Sequence, residues 1–212
     1  MASDRFECGG YYKNYDMTKE LHVGSGIVKV HDLFQPLPDF IKDVDVILSD
    51  PPYNQSALSS FYTKADIKEK QRFDDFFNRF FEIVDNLKPR ILILEIGVAQ
   101  EQMYMEALAL RFKNIISKEA LYYRREKCLF IIASNEDIPD VLRSIPDGID
   151  EEKIIDMICR DLDYANIYDP CMGTGLVGWY SNKYGKKFYG TELNKKRLGL
   201  LVESITNGKK VM

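Results

Sequence analysis

The chain of 212 residues has only two histidines, His22 and His31, and a single tryptophan, Trp179. A histidine-built metal site or a His-driven nucleophilic triad is therefore not expected. The four cysteines, Cys8, Cys128, Cys159 and Cys171, lack metal-ligand spacing, and two of them fall inside predicted elements. They read as reduced thiols of a cytoplasmic protein. No apolar run approaches the ~20 residues of a membrane-spanning helix, and residues 1–7 carry no apolar signal-peptide core. Internal repeats and low-complexity linkers are also missing. Nor is there a surplus of positive charge: 29 Lys and Arg against 33 Asp and Glu leave a net charge of −4. That argues against coating nucleic acid non-specifically, which rests on neutralising phosphates. The basic residues do cluster at 111–127 and again at 183–197, and the later cluster reads as a solvated face.

What is present is ordinary for a globular domain, with 45% hydrophobic and 29% charged residues. Apolar β-branched runs at 26–32, 44–48, 91–94, 120–123, 128–133, 165–168 and 188–192 read as strands. Helical spacing marks 73–87, 100–111, 151–162, 176–183 and 195–206. Strands alternating with helices predict an α/β fold, doubly wound, with a mostly parallel Rossmann-like sheet. Residues 1–25 read as an N-terminal arm and 26–212 as one domain. The phenylalanine stripe of 73–87 reads as core packing, and the polar stretch 54–72 as a mobile loop over the site.

Two stretches carry chemistry. Asp50-Pro51-Pro52-Tyr53 follows the strand at 44–48, where the prolines stop the ladder. An acid, a stiffened backbone and an aromatic ring are thus held at a strand's C-terminal edge, where open parallel sheets take their ligands. This combination suits the grip of a flat, amine-bearing ring. The second stretch, Asp169-Pro170-Cys171-Met172-Gly173-Thr174-Gly175, lies between a strand and a helix. Its glycines let the backbone approach a ligand beside unpaired helix N–H groups. Glu192 follows 19 residues after Gly173, close to the roughly 20-residue spacing of an acid that binds ribose hydroxyls. The fingerprint G-x-G-x-x-G is matched literally by residues 173–178, but too little chain follows for a dinucleotide fold. An acid ahead of the glycines suits a cationic amino-acid moiety better than a pyrophosphate. Glu95 also ends a strand, and lining a pocket or making a plain turn are equal readings of it.

With both stretches in view, the chain resembles the beta-class (permuted) S-adenosylmethionine (SAM)-dependent DNA amino-methyltransferases, which modify adenine N6 or cytosine N4. Asp50-Pro51-Pro52-Tyr53 looks like the catalytic motif and 169–175 like the SAM loop. The run from Gly185 through Glu192, Leu193 and Asn194 is similar to the segment that ends on the ribose-binding acid. The resemblance implies methyl transfer to a nucleobase amine, with adenine N6 in DNA first because the motif begins with aspartate. In it, Asp50 and the Pro51 carbonyl accept the amine hydrogens, and Tyr53 stacks on a flipped base. RNA, another amine or amide, or a non-catalytic SAM-binding subunit are the alternatives. The chain departs from the family pattern at three points. Cys171 stands where phenylalanine is usual, no Lys-Pro pair opens the helix at 151–162, and only 134–149 occupies the place of a target-recognition insert. The last departure implies a homodimer or a separate specificity subunit.

Overall fold

The computed structural model describes residues 8–211, so the part of the expected arm at 1–7 lies outside the described residues. The strands are β1 (Leu21–Val23), β2 (Gly26–Val30), β3 (Val46–Ser49), β4 (Ile91–Gly97), β5 (Asn114–Tyr122), β6 (Glu126–Ser134), β7 (Ile149–Asp150), β8 (Ile167–Asp169) and β9 (Phe188–Glu192). The helices are α1 (Gln55–Lys64), α2 (Phe73–Leu87), α3 (Glu101–Ala109), the single turn α4 (Asp140–Arg143), α5 (Glu151–Asp161), α6 (Leu176–Lys183) and α7 (Lys195–Asn207). All nine strands join one sheet in the order β1-β2-β9-β8-β3-β4-β6-β5-β7. The run from β2 to β4 is parallel, and β6 turns antiparallel to both β4 and β5. A mostly parallel α/β sheet is thus what the alternating pattern produced.

Side chains alternate across the strands and build a core on each face. Val46, Leu48, Ile91 and Ile93 face α5, α6 and α7, while Ile47, Leu92 and Leu94 face α1, α2 and α3. The phenylalanine stripe of α2 is core packing: Phe76, Phe80 and Phe81 are buried, and Phe77 meets Tyr104 edge-on at 5.2 Å. From β3 the chain crosses to β4, whereas from β8 it crosses in the opposite direction to β9. The adjacent strands β3 and β8 therefore flank a topological switch point, where the loops part and leave a crevice.

Some expectations change. The loop expected over 54–72 is helical across α1, because the Asn54 side chain accepts the Ala57 N–H at 2.9 Å and caps it. Leu58 and Tyr62, four residues apart, bury one face of that helix. Its polar outer face hid the pattern. β5 begins at Asn114, six residues before the expected 120, and its first half is only partly buried, so its apolar alternation is faint. Within the span read as an arm, Leu21–Val23 pairs antiparallel with β2. Residues near Tyr12 lie against α7, where a side chain at Gly199 would come within 2.7 Å of the Tyr12 nitrogen. No helix among the described residues is long and apolar enough to cross a membrane.

At the edge away from the crevice, Asp45 ties three strands together. Its carboxylate accepts from Arg90 Nε at 2.8 Å, Arg90 Nη2 at 3.1 Å and the Ala165 N–H at 2.9 Å. Burial alone would raise this carboxyl, but these donors and the Arg90 charge outweigh it and hold the group low. Its contribution is present above the usual carboxylate range and lost as pH falls through it. Asp45→Ala removes these three bonds, leaving Arg90 only the Asp163 carbonyl at 2.9 Å, and should cost about 1–3 kcal/mol in urea denaturation at neutral pH. The cost should shrink at acid pH, while the distant crevice stays intact.

Candidate active site

Register brings the two sequence stretches together. β3 pairs with β4 at Ser49 and Leu94, so Asp50 comes level with Glu95. On its other side Ile47 pairs with Tyr168 of β8, so Asp169 lies one step further toward the same edge. Asp169 in turn pairs with Gly190, two residues before Glu192. Four carboxyl groups thus sit at the C-terminal ends of four neighbouring parallel strands. They line one cavity of about 200 Å³.

Hydrogen bonds hold the loop after β8 in place. Thr191 Oγ1 donates to the Pro170 carbonyl at 3.0 Å and shares a 2.9 Å bond with the Tyr168 hydroxyl. The Met172 N–H donates to the Thr191 carbonyl at 3.0 Å. Gly173 and Gly175 both have left-handed φ, +57° and +93°, for different reasons. A Cβ on Gly175 would strike Leu201 at 2.7 Å, so this glycine lets α6 close on α7. A Cβ on Gly173 would meet nothing nearer than 3.9 Å, so its backbone opens on the cavity. Glu192 braces the loop, its Oε2 accepting the Gly173 N–H at 2.6 Å and its Oε1 the Asn194 N–H at 2.8 Å. A carboxylate has about four lone-pair sites, which leaves capacity for hydroxyl donors.

The electrostatics are one-sided. Burial pushes Asp50 up to about 6, with the Tyr53 hydroxyl and the Arg197 charge opposing it. Burial, then the charge of Asp50, carries Glu95 well above the usual range. Asp169 rises for the same first reason, despite the Cys171 N–H it accepts at 3.1 Å. Burial also raises Glu192 and Glu151. Arg197 is the one Arg or Lys among the lining residues. Such a pocket favours a ligand that carries positive charge and hydroxyl donors. No group of three His, Cys, Asp or Glu among the described residues has the geometry to hold a metal ion.

Of the expected residues, Asp50, Pro52, the whole run from Asp169 to Gly175, Glu192 and Leu193 line the cavity. Pro51, Tyr53 and Asn194 do not line it. The Tyr53 hydroxyl is buried without a well-formed hydrogen bond among the described residues, and burial and the Asp50 charge raise it. Asn194 caps α7 through Lys196 N at 2.9 Å and donates to the Lys64 carbonyl at 3.0 Å. Sequence reasoning did not single out several lining groups. His31 follows β2, with its buried Nε2 lacking a partner among the described residues. Tyr122 and Tyr123 form the β5–β6 hairpin tip, rings 4.5 Å apart. Glu151 opens α5 and accepts the Tyr123 N–H at 2.8 Å. Arg197 stands over the Phe61 ring at 5.0 Å. Only Glu151 had a local signal, as the acid where a Lys-Pro pair was expected.

No known family profile matches the chain, and no curated protein sequence matches it. Solved structures do. The complex of M1.HpyAVI with SAM superposes with a TM-score of 0.59 at 14% identity, over 85% of this chain and 98% of that one. TTHA0409 from Thermus thermophilus, complexed with S-adenosyl-L-methionine, gives a TM-score of 0.60 at 14% identity, over 87% and 95%. PvuII DNA methyltransferase, cytosine-N4-specific, gives 0.59 at 12%, over 88% and 94%. The chain shares the fold of these proteins along most of its length.

The raised carboxyls make a signed prediction. A group such as Asp50 binds its proton more tightly folded than unfolded, so its contribution is full below about pH 4 and lost as pH rises through about 6. The melting temperature of the ligand-free protein should therefore fall as pH rises from about 4 to about 6. Asp50→Asn should flatten part of that fall.

Proposed function

We propose that the chain is a SAM-dependent methyltransferase acting on the exocyclic amine of a nucleobase, with adenine N6 in DNA as the first choice. The observation that carries this reading is a single cavity lined by Asp50 and Pro52 from one motif and by residues 169–175 and Glu192 from the other. The acidic lining supports a ligand with an ammonium and a sulfonium. Glu192 keeps lone pairs for ribose hydroxyls, and the open backbone at Gly173 gives room beside them. Asp169 through Gly175, Glu192, Leu193 and Asn194 form the cofactor side of the site, Asn194 by fixing the start of α7.

The cofactor would supply a methyl group on a cationic sulfur. The chain's own residues do the rest. An aromatic amine is a weak nucleophile because its lone pair is delocalised into the ring. The Asp50 carboxylate and the Pro51 carbonyl accept the two amine hydrogens, which draws the nitrogen toward tetrahedral geometry. Pro52 stiffens that corner, and Tyr53, which lies outside the cavity lining, must turn its ring inward to stack on the base once it has left the duplex. Residues 26–212 act as one catalytic domain, in the cytoplasm. Only residues 135–148 separate β6 from β7, just ahead of α5, which leaves target choice to a homodimer or a specificity subunit. The aspartate of the motif favours adenine over the cytosine that PvuII DNA methyltransferase modifies.

Labelled SAM offered with duplex DNA, single-stranded DNA and RNA, followed by mass analysis of digested nucleosides, tests this reading. N6-methyldeoxyadenosine is expected, with Asp50→Ala reducing turnover by about 10²–10³-fold. Asp50 must be ionised to accept, so kcat/KM should rise with pH through about 6. No transfer to any nucleic acid would contradict the proposal.

A further inference from the structure

Glu95 lies near the end of β4 beside Asp50 and is 3% exposed, yet it lines the cavity. Its Oε1 is buried and has no hydrogen-bond partner among the described residues. The groups around it are Asp50 at the end of β3, Glu151 on α5, Cys128 on β6 and Asp169 on β8, with the Tyr53 and Tyr122 phenols close by. Every charged group in that set is an acid. An ionised carboxylate left among acids with no hydrogen-bond donor to one oxygen is strongly disfavoured. Glu95 is also deeper than Asp50, which opens on the cavity. Of the two, Glu95 keeps the proton. A neutral carboxyl at this position sets an O–H donor beside Asp50, at the end of the neighbouring strand.

We propose that Glu95 reads the base, donating its O–H to the ring nitrogen that neighbours the reacting amine. This rests on the methyl-transfer reading above and narrows it. Asp50 and the Pro51 carbonyl take the amine hydrogens, while Glu95 requires an acceptor next to that amine. Adenine offers N1 beside N6, and cytosine offers N3 beside N4. Thymine has no amine and presents an N–H at the corresponding ring position, and a side-chain amide has no ring nitrogen there. The substrate class is therefore an aromatic amine with an adjacent ring acceptor. In a duplex that acceptor is engaged in base pairing, so the base must be unpaired before Glu95 can reach it. Ionisation of Glu95 would remove the donor and set a negative charge against the ring nitrogen.

The test compares wild type, Glu95→Gln and Glu95→Ala on oligonucleotides carrying adenine or 1-deazaadenine, with SAM binding followed separately by calorimetry. Wild type should prefer adenine by about 10–100-fold in kcat/KM, the range for a missing hydrogen-bond partner in a buried site. Glu95→Ala should lose a similar factor on adenine and almost nothing on 1-deazaadenine, with SAM binding unchanged. Glu95→Gln keeps an N–H donor that cannot ionise, so it should retain most activity near neutral pH and lose the alkaline decline of wild type. Equal turnover of the two substrates by wild type would overturn the assignment while methyl transfer to adenine stands. So would a preference for adenine that survives in Glu95→Ala. A loss of SAM binding in both variants would overturn it too, placing Glu95 on the cofactor instead. Failure of wild type to methylate any nucleobase would remove this proposal together with the reading beneath it.

Discussion

The structure depends above all on the parting of the chain between β3 and β8. Parallel strands need crossover connections, and each right-handed crossover commits its helix to one face. Because β3 continues to β4 on one side and β8 to β9 on the other, no connection bridges the strand ends between them. The crevice is a by-product of winding the sheet both ways. It also explains how stretches from opposite halves of the sequence share one cavity: β8 comes late in the chain but lies beside β3.

The second constraint is the charge placed there. Asp50, Glu95, Glu151, Asp169 and Glu192 converge on a small volume with Arg197 as the one Arg or Lys in the lining. Folding without a ligand must tolerate this, and the raised carboxyls are how it does so. Sheet packing supplies the tolerance. Two apolar faces, with Val46, Ile91 and Phe130 on one and Ile47, Leu92 and Tyr168 on the other, hold the strand ends whatever their charges. The stability forgone at the strand ends is what a ligand of opposite charge would recover.

Much of this was legible in the sequence because it is local. Leu176–Lys183 and Phe188–Glu192 fall where spacing put them, since apolar residues recur there at helical and strand periods. The Pro-Pro corner and the glycine turn announced themselves through backbone chemistry. Other features were hidden for physical reasons. α1 shows water a face of serines, glutamine and lysine, and only its cap and the buried pair Leu58 and Tyr62 reveal it. Tyr122, Tyr123, Arg197 and His31 reach the cavity from distant elements. Nothing near them in sequence marks that meeting, which is a product of strand order. Asn194 shows the converse: a residue inside a recognisable segment whose side chain serves as a helix cap.

Methyl transfer at this crevice requires donor and acceptor to meet in one cavity. A crystal structure with S-adenosylhomocysteine and deoxyadenosine bound together looks at that meeting directly. The sulfur is expected on the side of residues 169–175, the ribose hydroxyls at Glu192, and the base amine within hydrogen-bonding distance of Asp50. Either molecule bound elsewhere, or the base seated with its amine away from Asp50, would contradict the methyl-transfer reading.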